Sequence, residues 1–260
     1  MNKLPSIFIG HGAPTIVVEE SPAHNFLQSL GGLLPKPSAI LCASAHWESV
    51  APEVSSTPNP STMYDFYGFP RELYGMRYPA PGAPQLATQV ARLLTAAGLP
   101  ARLDSTRGLD HGAWIPLRLI YPEADIPVMQ ISLPSGCNTD YFLALGRVLA
   151  PLRREGVLII GSGNATHNLR AYTQYAENPA AAPPDWVVDF DCWLEEAITA
   201  GHVSNLLRYR KLAPHAVENH PSEEHFMPLL VALGAGGGAG RLLHRSFSYG
   251  VLSMAAYAFE

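Results

Sequence analysis

The sequence predicts an α/β fold: a single domain with a central, mostly parallel or mixed sheet, flanked by helices, with its functional site at the strand ends. Three observations lead there. Short runs rich in Ile, Val and Leu recur along the chain and read as buried strands. Stretches with helical spacing alternate with them, which is the pattern of helices packed on a sheet. Histidines follow several of the apolar runs directly, where open α/β sheets bind ligands.

In chain order, residues 6–9 and 39–43 form the first two apolar runs. Residues 56–84 are rich in Pro, Tyr and Gly and lack periodicity, so they read as a long irregular loop of the kind that walls an active site. Residues 84–97 place Leu86, Val90, Leu93 and Leu94 on one helical face and stop at Gly98-Leu99-Pro100. A third strand is expected at residues 128–133 and a fourth at 157–161, with helices at 141–154 and 186–200. A last helix is expected over 223–233, opened by His225 and stopped by Gly234. The glycine tract 234–240 reads as a surface loop; no Lys-Ser/Thr follows it to make a phosphate loop. Residues 241–259 alternate like strands around a Tyr249-Gly250 turn. No repeat or composition shift divides the chain, so residues 1–260 read as one domain.

Composition narrows the function. Hydrophobic residues make up 47% of the chain, enough for a sizeable core. The net charge is −5 and no run of Lys and Arg appears, so neither nucleic acid nor an anionic membrane is an expected partner. Cys42, Cys137 and Cys192 are odd in number, far apart and in no Cys-x-x-Cys pair, which argues against a disulfide framework or a cysteine zinc site. With no signal-like or membrane-length apolar run, a soluble cytoplasmic protein is expected.

Chemistry concentrates in the histidines. His11 follows the first strand in Gly10-His11-Gly12-Ala13-Pro14, and His46 follows the second in Ser44-Ala45-His46-Trp47. His167 follows the fourth in Gly161-Ser162-Gly163-Asn164-Ala165-Thr166-His167-Asn168, and His111 lies in Asp110-His111-Gly112 before an apolar helical stretch. One such histidine is more often structural; several, beside Gly or Ser, point to one divalent metal ion. Neutral nitrogen donors suit iron, zinc and copper alike. His24, His202, His215, His220 and His244 lack this context. Motifs of zinc proteases, nucleophile elbows and dinucleotide sites are absent, and Ser162 reads as a loop residue. Tyr64, Asp65 and Phe66 form a substrate wall or a packed turn, and Asp110 orients His111 or makes a local turn.

Seven motifs in order carry a resemblance. The first two histidine motifs, Tyr64-Asp65-Phe66-Tyr67-Gly68-Phe69-Pro70, Tyr78-Pro79-Ala80-Pro81-Gly82, Leu109-Asp110-His111-Gly112, the His167 segment and Glu224-His225-Phe226-Met227-Pro228-Leu229 together resemble the class III extradiol ring-cleavage dioxygenases, DOPA 4,5-dioxygenase type. The resemblance runs from about residue 7 to the C-terminus. It implies one non-haem Fe(II), with Zn(II) as the alternative bound ion, and an enzyme that inserts both atoms of O2 into a catechol beside its two hydroxyls. It implies His11, His46 and His225 as metal ligands and His167 as a catalytic acid/base or fourth ligand. His111 then becomes a catalytic pocket residue, with Tyr64, Asp65 and Phe66 binding substrate. More distant members complete their ligand set with a Glu; here that position reads as His225, with Glu224 as its rival. A zinc-dependent non-redox enzyme such as a hydrolase, and a non-catalytic metal-binding protein, are the alternatives. The substrate is DOPA-like or another substituted catechol, and no residue stands out as partner for its carboxylate or amine.

Overall fold

A computed structural model describes residues 3–260. Its first half comprises β1 (Ser6–Gly10), α1 (Pro22–Leu33), β2 (Ala39–Ser49), β3 (Glu53–Ser55), α2 (Pro84–Ala96), β4 (Arg102–Asp104) and α3 (His111–Ile120). There follow β5 (Val128–Pro134), α4 (Thr139–Leu149), β6 (Val157–Gly163), α5 (Asp185–Thr199) and α6 (Met227–Gly236). The chain closes with β7 (Gly240–His244), β8 (Phe247–Ser248), β9 (Leu252–Ser253) and β10 (Ala256–Phe259). Eight strands form one mixed sheet in the order β4-β3-β5-β2-β6-β1-β10-β7. Its centre, β5-β2-β6-β1, is parallel, and β10 and β7 extend it antiparallel.

The central strands are buried on both faces, which is why they read as continuous apolar runs rather than alternating ones. Successive residues still part company: Ile7, Ile9, Leu158 and Ile160 join one core layer, Phe8 and Ile159 the other. Each such side chain contributes about 1.5–3 kcal/mol relative to exposure. α1 and α3 cover the first face; α4, α5 and α6 cover the second. α6 is apolar all round because it is buried all round, from Met227 to Ala235.

Several boundaries depart from the sequence expectation. The last helix begins at Met227, not at Glu223, with Pro228 in its first turn, so His225 stands in the turn before it. It runs through Gly234, which lies inside the helix because a Cβ there would stand 2.2 Å from the carbonyl oxygen of Leu143 on α4. The glycine tract is thereby mostly structured, and only residues 237–239 remain as a loop before β7. The expected helix over 141–154 ends at Leu149 and tightens into a 3-10 segment, Ala150–Glu155, that contains Pro151. Ser162 belongs to β6 rather than to a loop. The irregular loop is interrupted only by the 3-10 turn Arg71–Gly75 and an isolated bridge from Thr62 to Leu109. The Tyr249-Gly250 turn is present, both residues having positive φ, between β8 and β9. Among the described residues no helix is long and apolar enough to cross a membrane.

Candidate metal centre

Five histidines from five separate segments converge beyond the carboxyl ends of the parallel strands. His11 follows β1, and its N–H donates to the carbonyl of Gly163 at the end of β6 (2.9 Å). His46 lies where the pairing of β2 with β5 shifts register, between Ala43 and Glu48; such irregularities re-aim side chains. His111 opens α3, and Gly112 lets that helix start approach β2: a Cβ there would stand 2.5 Å from Ser44 Oγ and 2.9 Å from His46 Cδ2. His167 follows β6, and His225 precedes α6.

Ring centroids of His46 lie 4.8 Å from His11, 3.8 Å from His111 and 4.9 Å from His225. His225 is 5.3 Å from His11 and stacks on His167 at 3.5 Å. The ligating atoms of His11, His46 and His111 lie within 4.8 Å of one another, and those of His167, Glu224 and His225 form a second group, of two nitrogens and a carboxylate oxygen, within the same distance. The sequence-derived set of His11, His46 and His225 thus straddles two groups.

Hydrogen bonds set the tautomers. Ser162 Oγ donates its one proton to the carbonyl of Gly112 (2.5 Å), so it accepts from His11 Nδ1 (3.0 Å). His11 Nε2 is then a bare acceptor, and it faces His46 Nε2 at 2.9 Å. Nδ1 of His225 donates to Glu224 Oε1 (2.8 Å), and the buried Nε2 of the same ring has no hydrogen-bond partner. A buried acceptor left unpaired is costly, on the order of 1–3 kcal/mol, and a cation removes that cost. This orphaned nitrogen and the facing pair fit a metal ion.

Burial keeps four of the rings neutral. Burial and the neighbouring imidazoles push His11 and His225 well below the ordinary histidine value. Burial also lowers His46 to about 3 and His167 to about 4. Neutral imidazole is the form that ligates. His111 donates Nδ1–H to Asp65 Oδ2 (3.0 Å), and its backbone N–H goes to Asp65 Oδ1 (2.8 Å). Burial alone would raise the Asp65 carboxyl, but these hydrogen bonds outweigh it and hold the group below its usual value.

A cavity of about 700 Å³ opens from the cluster. Asp65, Phe66 and Phe69 line it, so the irregular loop does supply a wall. Tyr64 stands behind that wall: its hydroxyl donates to the carbonyl of Met76 (2.6 Å), and its ring packs on Phe66, Tyr74 and Trp114. Asp110 does not touch His111's ring. It caps α3 at Ala113 and, fully buried, accepts from Ser44, Gln130 and Arg107, tying β2 and β5 to the helix. Of the other histidines, His220 is buried behind the site, donating Nε2–H to the carbonyl of Ala165 (2.8 Å). His24 is likewise tied to a backbone carbonyl, that of Ile16. The sequence reading took Ser162 for a loop residue, quoted Ser44 only as part of the His46 motif and did not name Gln130, since a strand serine or glutamine carries no local sign of its partner. All three cysteines are free.

Comparison with known proteins gives the family. The family model described as the catalytic LigB subunit of aromatic ring-opening dioxygenase matches residues 9–260. The chain belongs to the LigB family. As a member it is an extradiol-type dioxygenase, an oxidoreductase. A relative named 4,5-DOPA dioxygenase extradiol from Beta vulgaris is 44% identical over 98% of this chain and 96% of its own. A relative of the same name from Escherichia coli K12 is 39% identical over 90% of this chain and 85% of its own. A solved structure of an uncharacterized protein from Escherichia coli K12 superposes with a TM-score of 0.82 at 33% identity, covering 99% of this chain and 100% of that one.

Proposed function

We propose that this LigB-family chain opens the ring of a catechol with O2 by extradiol cleavage, at one Fe(II) held by His11, His46 and His225. The observation that carries the reading is the orphaned Nε2 of His225, buried beside the facing nitrogens of His11 and His46. Carboxylates orient both His225 and His111 and free the Nε2 of each, but only the Nε2 of His225 is buried without a partner, so His225 is preferred as third ligand. Iron is preferred to zinc because ring opening by O2 needs an ion that changes oxidation state, and zinc does not. A bound Fe(II) would supply Lewis acidity toward the catechol oxygens and redox activity toward O2.

The chain's own residues do the rest. Ser162 and Glu224 fix the tautomers of His11 and His225, so that Nε2 of each is the free donor atom. His167, held neutral by burial and stacked on His225, would take a proton from a substrate hydroxyl. His111 keeps its proton on Nδ1 through Asp65, which leaves Nε2 to accept a hydrogen bond from the second hydroxyl or from oxygen. Phe66 and Phe69 supply apolar faces for the aromatic ring and exclude water from it.

The test is anaerobic loading of metal-free protein with one equivalent of Fe(II) or Zn(II), followed by air and 4-methylcatechol. Oxygen uptake matching catechol loss, with a product heavier by two oxygen atoms, is expected with iron alone. No uptake with iron, or equal uptake with zinc, overturns the reading. Metal content of the alanine variants assigns the ligands: His225→Ala should lose the ion and His111→Ala should keep it.

A further inference from the structure

We infer that Asp110 and Arg107 are positioning residues of the reaction: together they hold the backbone of His46 on both sides and so fix its ring in the metal centre. The inference rests on the reading of His46 as a metal ligand and adds what places it.

The need for such a hold arises in the sheet. Ala43 pairs with Ile131 and Glu48 with Leu133, so Ser44 to Trp47 stand opposite Ser132 alone, and pairing with β6 ends at Ser44. His46 has therefore left the ladder on both sides, while its neighbours Ala45 and Trp47 stay buried. Backbone groups in such a place need other partners. The His46 N–H donates to Ser44 Oγ (3.2 Å), and the His46 carbonyl accepts from Arg107 Nη2 (3.2 Å).

Both partners lead to Asp110. Ser44 Oγ donates its one proton to Asp110 Oδ1 (2.7 Å), which leaves its lone pairs for His46. Arg107 Nη2 also donates to Asp110 Oδ2 (3.1 Å), and its guanidinium lies over the Trp47 ring at 4.8 Å. The carboxylate is itself immobilised. Ala113 N–H reaches Oδ1 (3.2 Å), Gln130 Nε2–H reaches Oδ2 (2.7 Å), and Gln130 Oε1 accepts the Asp110 N–H (3.1 Å). Each oxygen of this fully buried group thus takes two hydrogen bonds, which fills its acceptor capacity. A side-chain amide in its place would turn an NH2 toward two donors, whichever way it is flipped. Through Gln130 on β5 and the cap of α3, Asp110 makes both elements the frame that locates His46. His111 opens the same helix, and its ring centre lies 3.8 Å from that of His46.

The test uses Asp110→Asn and Arg107→Met, the latter keeping a stem over Trp47 but no N–H. On the metal-free protein, ring 15N shifts read two contacts: Nε2 of His46 against Nε2 of His11 (2.9 Å), and Nδ1–H of His225 to Glu224 (2.8 Å). Each variant should lose the first contact and keep the second, since only His46 loses its hold; general loosening would move both. Affinity for Fe(II), by anaerobic competition with a chelator, should fall about 10–100-fold in each. Combining the two changes should weaken it no further than Asp110→Asn alone, because both act on one stretch of backbone. Parental His46 shifts, loss of both contacts together, or fully additive losses overturn the inference. So does parental Fe(II) affinity in Arg107→Met where His46→Ala has lost the ion. If Asp110→Asn fails to fold, Arg107→Met decides. If His46→Ala binds Fe(II) as the parent does, the ligand reading fails by itself, and the metal-free shifts still decide the placement.

Discussion

Replacing Gly163 by alanine should disable the site without touching a ligand. Gly163 ends β6 directly against the turn that carries His225. A Cβ at this position would stand 2.1 Å from the His225 carbonyl oxygen, 3.1 Å from its carbonyl carbon and 3.3 Å from Pro228 Cγ. Restoring even a 3.0 Å separation requires the His225 backbone to recede by roughly 0.9 Å, because packed interiors have no slack to absorb the overlap. That movement strains the bond from Asn164 N–H to the same carbonyl (3.1 Å), and it shifts the backbone that carries the His225 ring relative to His11 and His46. A misplacement of about 1 Å in a catalytic array costs on the order of 10²-fold in rate, and overpacking costs about 1–3 kcal/mol of stability. Bound iron per chain, oxygen uptake and Tm should be read on one preparation of Gly163→Ala. Gly32→Ala is the control: it lies in α1 with nothing within 4 Å of the added carbon, and should be neutral or stabilising by about 0.5–1 kcal/mol. Parental metal content, rate and Tm in Gly163→Ala would refute the argument that this contact places His225.

Further outcomes follow from the same geometry. Ser162→Ala removes the acceptor that fixes the His11 tautomer and should weaken metal binding by about 10–100-fold, read by competition with a chelator; unchanged affinity would show the hydroxyl to be idle. Glu224→Gln should weaken metal binding by a similar ~10–100-fold, whereas complete loss of metal in it, with metal kept in His225→Ala, would make Glu224 the third ligand. His167→Ala should keep the metal and lose about 10²–10⁴-fold in turnover; loss of the ion would make it a ligand instead. Burial holds His46 and His220 near 3 and His167 near 4, below the unfolded histidine value of about 6.5. As pH falls below that value the unfolded chain takes up protons first. Stability of the metal-free protein is therefore complete above about pH 6.5 and is lost toward pH 4, by up to about 1.4 kcal/mol per pH unit for each ring. Urea titrations from pH 7.5 to 4.5 check this, and a flat profile would contradict it.

The strands and the histidines after them were legible in the sequence because both are local. A run such as 157–161 is apolar because it is buried on both faces, and a histidine at its end falls where parallel sheets present ligands. Helix boundaries were less legible. Glu223 to His225 carry helical spacing, yet Pro228 sets the helix start at Met227, and Gly234 continues it because its missing Cβ admits α4. Tyr64 shares its motif with Asp65 and Phe66, but only the latter two face the cavity.

By itself the sequence determined the fold class, the five histidines and the resemblance that ties their motifs together. The tertiary structure alone decided which nitrogens face one another, which tautomers they hold and which residues of the irregular loop line the cavity. The reason is separation along the chain. Ser162 sets the proton on His11 from 151 residues away, and Asp65 sets that on His111 from 46. No periodicity within a window of ten or fifteen residues encodes such a pair; it exists only once the sheet has brought its strand ends to one edge.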